Sequence, residues 1–217
     1  MAGTTERQGG AYRPVTPAVL AEHVVGRAAA TPGRARVLLD GAPPSGADAL
    51  ADAVAELLRL RGRPVVVVRA ADFLRPASVR LELGHTDVDM FLDGWLDDDA
   101  LRREVLDPAG PEGSGRVLPR LRDPVRDRSF RDAPQDIGPD GVVVVAGARM
   151  LGRGLDAELT VHLRMSPGAL GRLLPDDERW TVEAYERYDR ERVPQDLAEI
   201  VVMADHPERP AMRDRDG

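Results

Sequence analysis

Residues 37–48 read Val37-Leu38-Leu39-Asp40-Gly41-Ala42-Pro43-Pro44-Ser45-Gly46-Ala47-Asp48. An apolar run enters a loop bounded by two glycines, and a helical pattern leaves it. Gly41 and Gly46 stand at the spacing of the phosphate-binding frame G-x-x-x-x-G-K-[ST]. In that frame loop N–H groups and a lysine hold phosphate, and a hydroxyl holds magnesium. Here the lysine position is Ala47 and the hydroxyl position is Asp48. Pro43 and Pro44 remove two backbone donors and stiffen the loop. The chain has no lysine at all, so its 30 basic residues are all arginine. A GC-rich genome accounts for arginine in place of lysine. It does not account for alanine where a phosphate needs a cation.

The pattern on either side of the loop sets the fold. Arg36 to Asp40 is a short apolar run that reads as a buried strand. From Asp48, Leu50, Ala53, Val54, Leu57 and Leu58 make one helical face, and Asp52, Glu56 and Arg59 the other. Gly62 stops that helix, and Val65-Val66-Val67-Val68 is a second buried strand. Strand, loop, helix and strand make a βαβ unit with its loop at a helix N-terminus. Further strands are predicted at Val142 to Val145, Leu159 to Leu163 and Ile200 to Met203. Further helices are predicted at Val15 to Ala30, Asp98 to Leu106, Pro167 to Leu174 and Thr181 to Arg192. The expected fold is a three-layer α/β domain with a five-stranded, mainly parallel sheet and its ligand cleft at the strand C-terminal ends. Residues 1–14 read as a flexible leader, 15–207 as one domain and 208–217 as a disordered tail. Residues 107–140, rich in Pro, Gly and charge, read as a long excursion with little regular structure.

Composition narrows the function classes. Only eight of 217 residues are aromatic, so Ala, Val and Leu must build the core. There is no cysteine, hence neither a disulfide nor a thiolate metal site. No apolar run has the length of a membrane helix, and the N-terminus has no signal-peptide core, so a cytoplasmic location follows by default. The net charge of −7 gives no overall pull toward nucleic acid. Arg120, Arg122, Arg126, Arg128 and Arg131 interleave with Asp123, Asp127 and Asp132, as in a solvated mixed-charge loop.

Several segments together resemble the uridine kinase branch of the phosphoribulokinase/uridine kinase family of P-loop kinases, in its actinobacterial form. The likeness runs over residues 12–212. It is carried by Asp40-Gly41, Arg61-Gly62-Arg63-Pro64, Asp72-Phe73-Leu74-Arg75-Pro76 with Val79-Arg80, and Leu106-Asp107-Pro108 with Gly110-Pro111. Later markers are Tyr185-Glu186-Arg187-Tyr188, then Val201-Val202 before Asp205-His206-Pro207. The resemblance implies four chemical positions, and all four depart. The P-loop lysine is Ala47 and the magnesium hydroxyl is Asp48. The presumed base, two residues before the Phe of D-x-F-[HY]-R, is Ala71. The acid that ends the third strand, in V-[DE]-G, is Ala146. Asp72 is one residue off the base position, and Leu74 replaces the aromatic after Phe73.

Phosphoryl transfer depends mostly on positioning and charge neutralisation. At ~5 Å and an effective dielectric of ~20, each unit charge is worth about 3 kcal/mol. Losing the lysine and gaining Asp48 therefore both oppose a bound phosphate. A carboxylate is a good magnesium ligand, so Asp48 is the one candidate metal ligand. The leading expectation is a catalytically degenerate, uridine-kinase-like protein with Gly41, Ser45, Gly46 and Asp48 as the remaining phosphate-binding frame. The first alternative is an active ATP-dependent nucleoside kinase with arginine in place of the lysine. Arg75, Arg80, Arg149 and Arg172 are its candidates for nucleoside or phosphate contact. The second alternative is a protein-interaction module. The family implies ATP and magnesium, and the four replacements speak against both. A nucleotide, a nucleoside or a second copy of the chain stay open as partners.

Other polar clusters have plainer readings. His85, Asp87 and Asp89 have an H-x-D-x-D spacing but no further ligands, and read as a polar loop. Asp97-Asp98-Asp99 reads as the cap and first turn of a helix. His23 and His162 read as satisfied structural histidines, and no Ser/His/Asp triad is present. Trp95, Trp180, Tyr185 and Tyr188 could stack on a base, although Tyr185 and Tyr188, three apart, suit core packing.

Overall fold

The computed structural model describes residues 11–215, and the first ten residues of the expected leader lie outside it. A mostly parallel sheet runs through the middle. Its strands are β1 Arg13–Pro14, β2 Ala35–Gly41, β3 Val65–Arg69, β4 Val142–Gly147, β5 Leu159–Arg164, β6 Ile200–Met203 and β7 Ala211–Asp214. They lie side by side in the order β1-β7-β6-β5-β2-β4-β3. The five strands from β6 to β3 are mutually parallel. β7 runs antiparallel to both β6 and β1.

The sheet therefore has seven strands where the sequence predicted five. The two additions are short antiparallel strands at one edge. β7 lies inside the stretch expected to be a disordered tail, and β1 lies inside the expected leader. β7 is held from the side: Asp214 is buried, its Oδ2 lies 2.6 Å from His23 Nε2, and its Oδ1 accepts from Arg27 Nη1. Met212 is fully buried beside it.

β2 shows why the middle strands read as continuous apolar runs. Val37, Leu38, Leu39 and Asp40 are all buried. Successive residues of a strand point to opposite faces, so both faces of the sheet are covered here. Helix α1, Pro17–Ala30, begins at Thr16, whose hydroxyl accepts from Val19 N at 3.2 Å, and has Pro17 at its first position. It buries Leu20, Ala21, Val24, Val25 and Ala28. Helix α2, Ala47–Leu60, buries Leu50, Ala51, Val54, Ala55 and Leu58, and packs against α1, β2, β3 and β4. Gly46 starts α2 at φ 85°, a left-handed conformation that suits glycine.

On the C-terminal side of the strands, Asp97 caps a helical segment over 98–109 by accepting from Ala100 N at 3.0 Å. Helix α3, Pro167–Leu173, is capped by Ser166. Helix α4, Thr181–Arg192, buries Tyr185 and Tyr188. The excursion over 107–140 holds two small antiparallel pairs, 116–117 with 135–136 and 122–123 with 128–129. Its arginines pair with its own aspartates: Arg120 with Asp132, Arg126 with Asp123 and Arg122 with Asp127. No helix among the described residues is long and apolar enough to cross a membrane.

Asp214→Ala leaves His23 and Arg27 without their shared carboxylate and loosens β7. The expected loss is about 2 kcal/mol, read as a lower urea midpoint against wild type. An unchanged midpoint would show that β7 adds nothing to the fold.

Candidate functional site

β2, β3 and β4 end side by side, and a cleft of about 600 Å³ opens over their C-terminal ends. Gly41 comes from β2, Arg69 from β3, and Ala146 and Gly147 from β4. This is the edge at which open parallel sheets place their ligands. Pro43, Ala47 and Asp48 supply one wall, and Ala71 and Leu74, just beyond β3, another. The far wall is aromatic. Phe91 meets Trp95, Trp180 and Tyr185 with ring centroids 4.9, 5.1 and 5.9 Å apart, all near edge-to-face.

The loop is tightly built. A Cβ on Gly41 would lie 2.4 Å from Ser45 Oγ and 3.0 Å from Leu163, so only glycine fits. Pro43–Ser45 form one turn of 3₁₀ helix. Ser45 is 2 % exposed and its Oγ has no hydrogen-bond partner. Of the expected phosphate frame, Gly41 and Asp48 reach the cleft wall, whereas Ser45 and Gly46 do not line it.

Asp48 is engaged by a cation. Its Oδ1 lies 3.4 Å from Arg69 Nε, and Arg69 Nη2 donates to Asp52 Oδ1 at 2.6 Å. Arg69 was not among the residues singled out from the sequence. Its spacing from Asp48 across the βαβ unit gave no local signal. Ala47, Ala71 and Ala146 all line the cleft, so three of the four departed positions meet in one place as methyl groups. Asp72 is not on that wall. Burial raises its carboxyl above the ordinary range, with Arg120 opposing.

The four singled-out arginines separate. Arg172 is exposed on α3, and Arg75 is not on the cleft wall. Arg80 reaches the cleft but is committed. Its Nε donates to Arg75 O at 2.8 Å, its Nη2 lies 3.4 Å from Pro124 O, and its guanidinium stands 5.1 Å from the Trp95 ring centre. Burial lowers its pKa. Arg149 also reaches the cleft, at φ 61°, with Cζ 3.5 Å from the Phe91 ring centre. Burial depresses its pKa to about 10, so it stays charged at neutral pH.

Of the H-x-D-x-D set, His85 is exposed at the cleft rim, Asp87 accepts from Met90 N, and Asp89 pairs with Arg187. No group of three or more metal-ligating side chains occurs among the described residues.

Behind the loop lies a buried polar cluster. Asp40 Oδ1 accepts from Met150 N at 2.8 Å. Asp40 Oδ2 accepts from His162 Nδ1 at 2.8 Å and from the Tyr188 hydroxyl at 3.0 Å. His162 Nε2 is 3.7 Å from Asp189 Oδ1, too long for a hydrogen bond but within ion-pairing range. Burial alone would lower the His162 pKa, but the Asp189 and Asp40 carboxylates outweigh it and raise the imidazole to about 9. His162 is thus a structural histidine that carries a charge: Asp40 holds its Nδ1, while its Nε2 has no hydrogen-bond partner and faces Asp189 at ion-pair distance.

No protein-family model and no curated protein matches the sequence. Solved structures do match in fold. A possible uridine kinase from Bacillus stearothermophilus aligns over 85% of this chain and 96% of its own at 17% identity, with a TM-score of 0.67. A putative fructose transport system kinase from Silicibacter sp. TM1040 aligns over 82% and 90% at 23% identity, with a TM-score of 0.58. The YGR205w protein aligns over 92% and 99% at 12% identity, with a TM-score of 0.59. The fold is that of the P-loop kinases. At these identities the likeness speaks for the fold alone. Gly41, the last residue of β2, stands where the cleft opens.

The charged His162 makes stability depend on pH. Its folded pKa of about 9 lies above its unfolded value of 6.5, so its contribution is full below pH 6.5 and is lost as pH rises through 9. Unfolding free energy is expected to fall by roughly 2–3 kcal/mol over that window. His162→Gln should flatten the slope, as measured by urea titrations at pH 6, 7.5 and 9.

Proposed function

We propose that this chain is a catalytically degenerate relative of the actinobacterial uridine kinases, acting in the cytoplasm. It binds a nucleotide-like or nucleoside-like ligand in the cleft and does not transfer phosphate. One observation carries the reading: the cleft wall presents methyl groups at Ala47, Ala71 and Ala146, while Asp48 is paired with Arg69. In the resemblance those positions supply the phosphate cation, the base for the acceptor hydroxyl, the acid that assists the metal, and the metal's hydroxyl. Transfer needs all of these at once. Asp48, the one candidate magnesium ligand, has an arginine beside it that competes for its charge. The ring wall of Phe91, Trp95, Trp180 and Tyr185 still suits a planar ligand.

A second reading has one observation in its favour. Arg80 and Arg149 line the same cleft as Gly41 and Asp48, as an arginine-assisted nucleoside kinase requires. Against it, Arg80 is already held by two carbonyls. A pure interaction module accounts less well for an open cleft that Pro43 lines without closing.

Calorimetric titration with ATP, with and without magnesium, and with uridine tests binding, and a phosphotransfer assay tests chemistry. The expected outcome is binding of a nucleoside or nucleotide without turnover, and no rescue by Ala47→Lys alone. Turnover at ordinary kinase rates, about 1–100 s⁻¹, would sink the proposal.

A further inference from the structure

Among the described residues, the buried arginines have hydrogen-bond or ion-pair partners, with one exception on the cleft. Arg36 is paired with Glu158, Arg153 with Asp98, and Arg80 with two carbonyls. Arg149 is 8 % exposed, and its Nε and Nη1 have no hydrogen-bond partner. Among the described residues no carboxylate lies within ion-pairing distance of it. A guanidinium withdrawn from water without an anion is costly. Stacking on Phe91 answers only part of that cost. The neighbouring Tyr185 phenol cannot serve as counterion, because burial raises its pKa to about 12 and it stays neutral.

A second orphan donor stands on the same wall. Trp95 Nε1 is buried with no hydrogen-bond partner. Trp95 and Trp180 lie 6.2 Å apart between ring centres, and both line the cleft with Phe91. A wall of mutually tilted aromatic rings thus adjoins a bare cation and an unused N–H. The rest of the wall is not broadly basic. Asp48, Asp177 and Glu178 also line it, and Arg69 is engaged by Asp48 and Asp52. A chain of several phosphates would face those carboxylates, whereas a single anionic group would not need to.

We propose that the cleft takes a planar organic ligand with one oxyanionic group, a carboxylate or a phosphate monoester. The oxyanion pairs with Arg149, and the ring lies against Phe91, Trp95 and Trp180. The inference rests on the reading of the cleft as a ligand site and names the ligand's class. Arg149 then sets specificity: it rejects a neutral ligand of the same shape, because that ligand would leave the guanidinium unpaired.

Two matched pairs of probes test this: nicotinate against nicotinamide, and uridine monophosphate against uridine. The members of each pair share a ring and differ in the oxyanion. Trp95 and Trp180 are the only tryptophans in the chain, so intrinsic fluorescence reports on the cleft, with calorimetry as the independent readout. In at least one pair the anion should bind about tenfold tighter than its neutral partner. The pair that responds tells carboxylate from phosphate. Arg149→Met should abolish that discrimination and leave the neutral probe's affinity within about twofold. Equal binding of anion and neutral partner in both pairs overturns the inference and leaves the ligand-site reading standing. No fluorescence change and no heat from any probe overturns both. The comparison within each pair uses the wild-type protein, so it decides the matter even if Arg149→Met does not fold.

Discussion

One buried carboxylate holds the site together. Asp40 is the last residue but one of β2, and its two oxygens reach the turn after β4 through Met150 N, β5 through His162, and α4 through Tyr188. Those segments come from three distant parts of the chain. A carboxylate with no exposure is tolerated only when its lone pairs are filled and its charge is balanced. Here the balance comes from His162, whose proton is retained by Asp40 and Asp189 together. The glycine that follows Asp40 cannot accept a side chain, and the loop must turn directly above this cluster. The position of the loop is therefore set from beneath, by charge.

That arrangement separates the scaffold of the glycine loop from the chemistry of the cleft above it. The strand, the glycine turn and the helix start are held by the core. In the cleft above, methyl groups stand at Ala47, Ala71 and Ala146, and Arg69 and Asp48 answer each other's charge. The strongest unanswered charge on the wall belongs to Arg149, which stands beyond the end of β4 and away from the usual lysine position. A fold of this kind tolerates such change because the strand ends and loops that line the cleft carry little of the packing.

The sequence disclosed the parallel sheet because strands buried on both faces leave unbroken apolar runs, as in Ala35–Gly41 and Val142–Gly147. It did not disclose β7, Ala211–Asp214, in which Met212 is flanked by charge and Asp214 is buried only because α1 brings His23 and Arg27 to it. The cleft was half legible. Its loop, Arg80 and Arg149 lie where a local motif or a strand end marks them. Phe91 lies just beyond the H-x-D-x-D stretch and carries no motif of its own, yet it is the ring at the centre of the aromatic wall. Arg69 and the partnership of Asp40 with His162, 122 residues apart, leave no trace in local spacing. Arg75 and Arg172 carried the same local credentials as Arg149 and stand elsewhere, because direction of a side chain is a tertiary property.

The short outer strand has a consequence for how copies of this protein can meet. β1 is two residues long and ends in Pro14, and it covers one end of β7. Beyond that proline the edge offers an incoming strand one N–H fewer than a ladder needs. Among the described residues this edge is blunted, as edges must be in proteins that are not to polymerise. The opposite border of the sheet, at β3, has no proline within its strand and is the less obstructed of the two to strand addition.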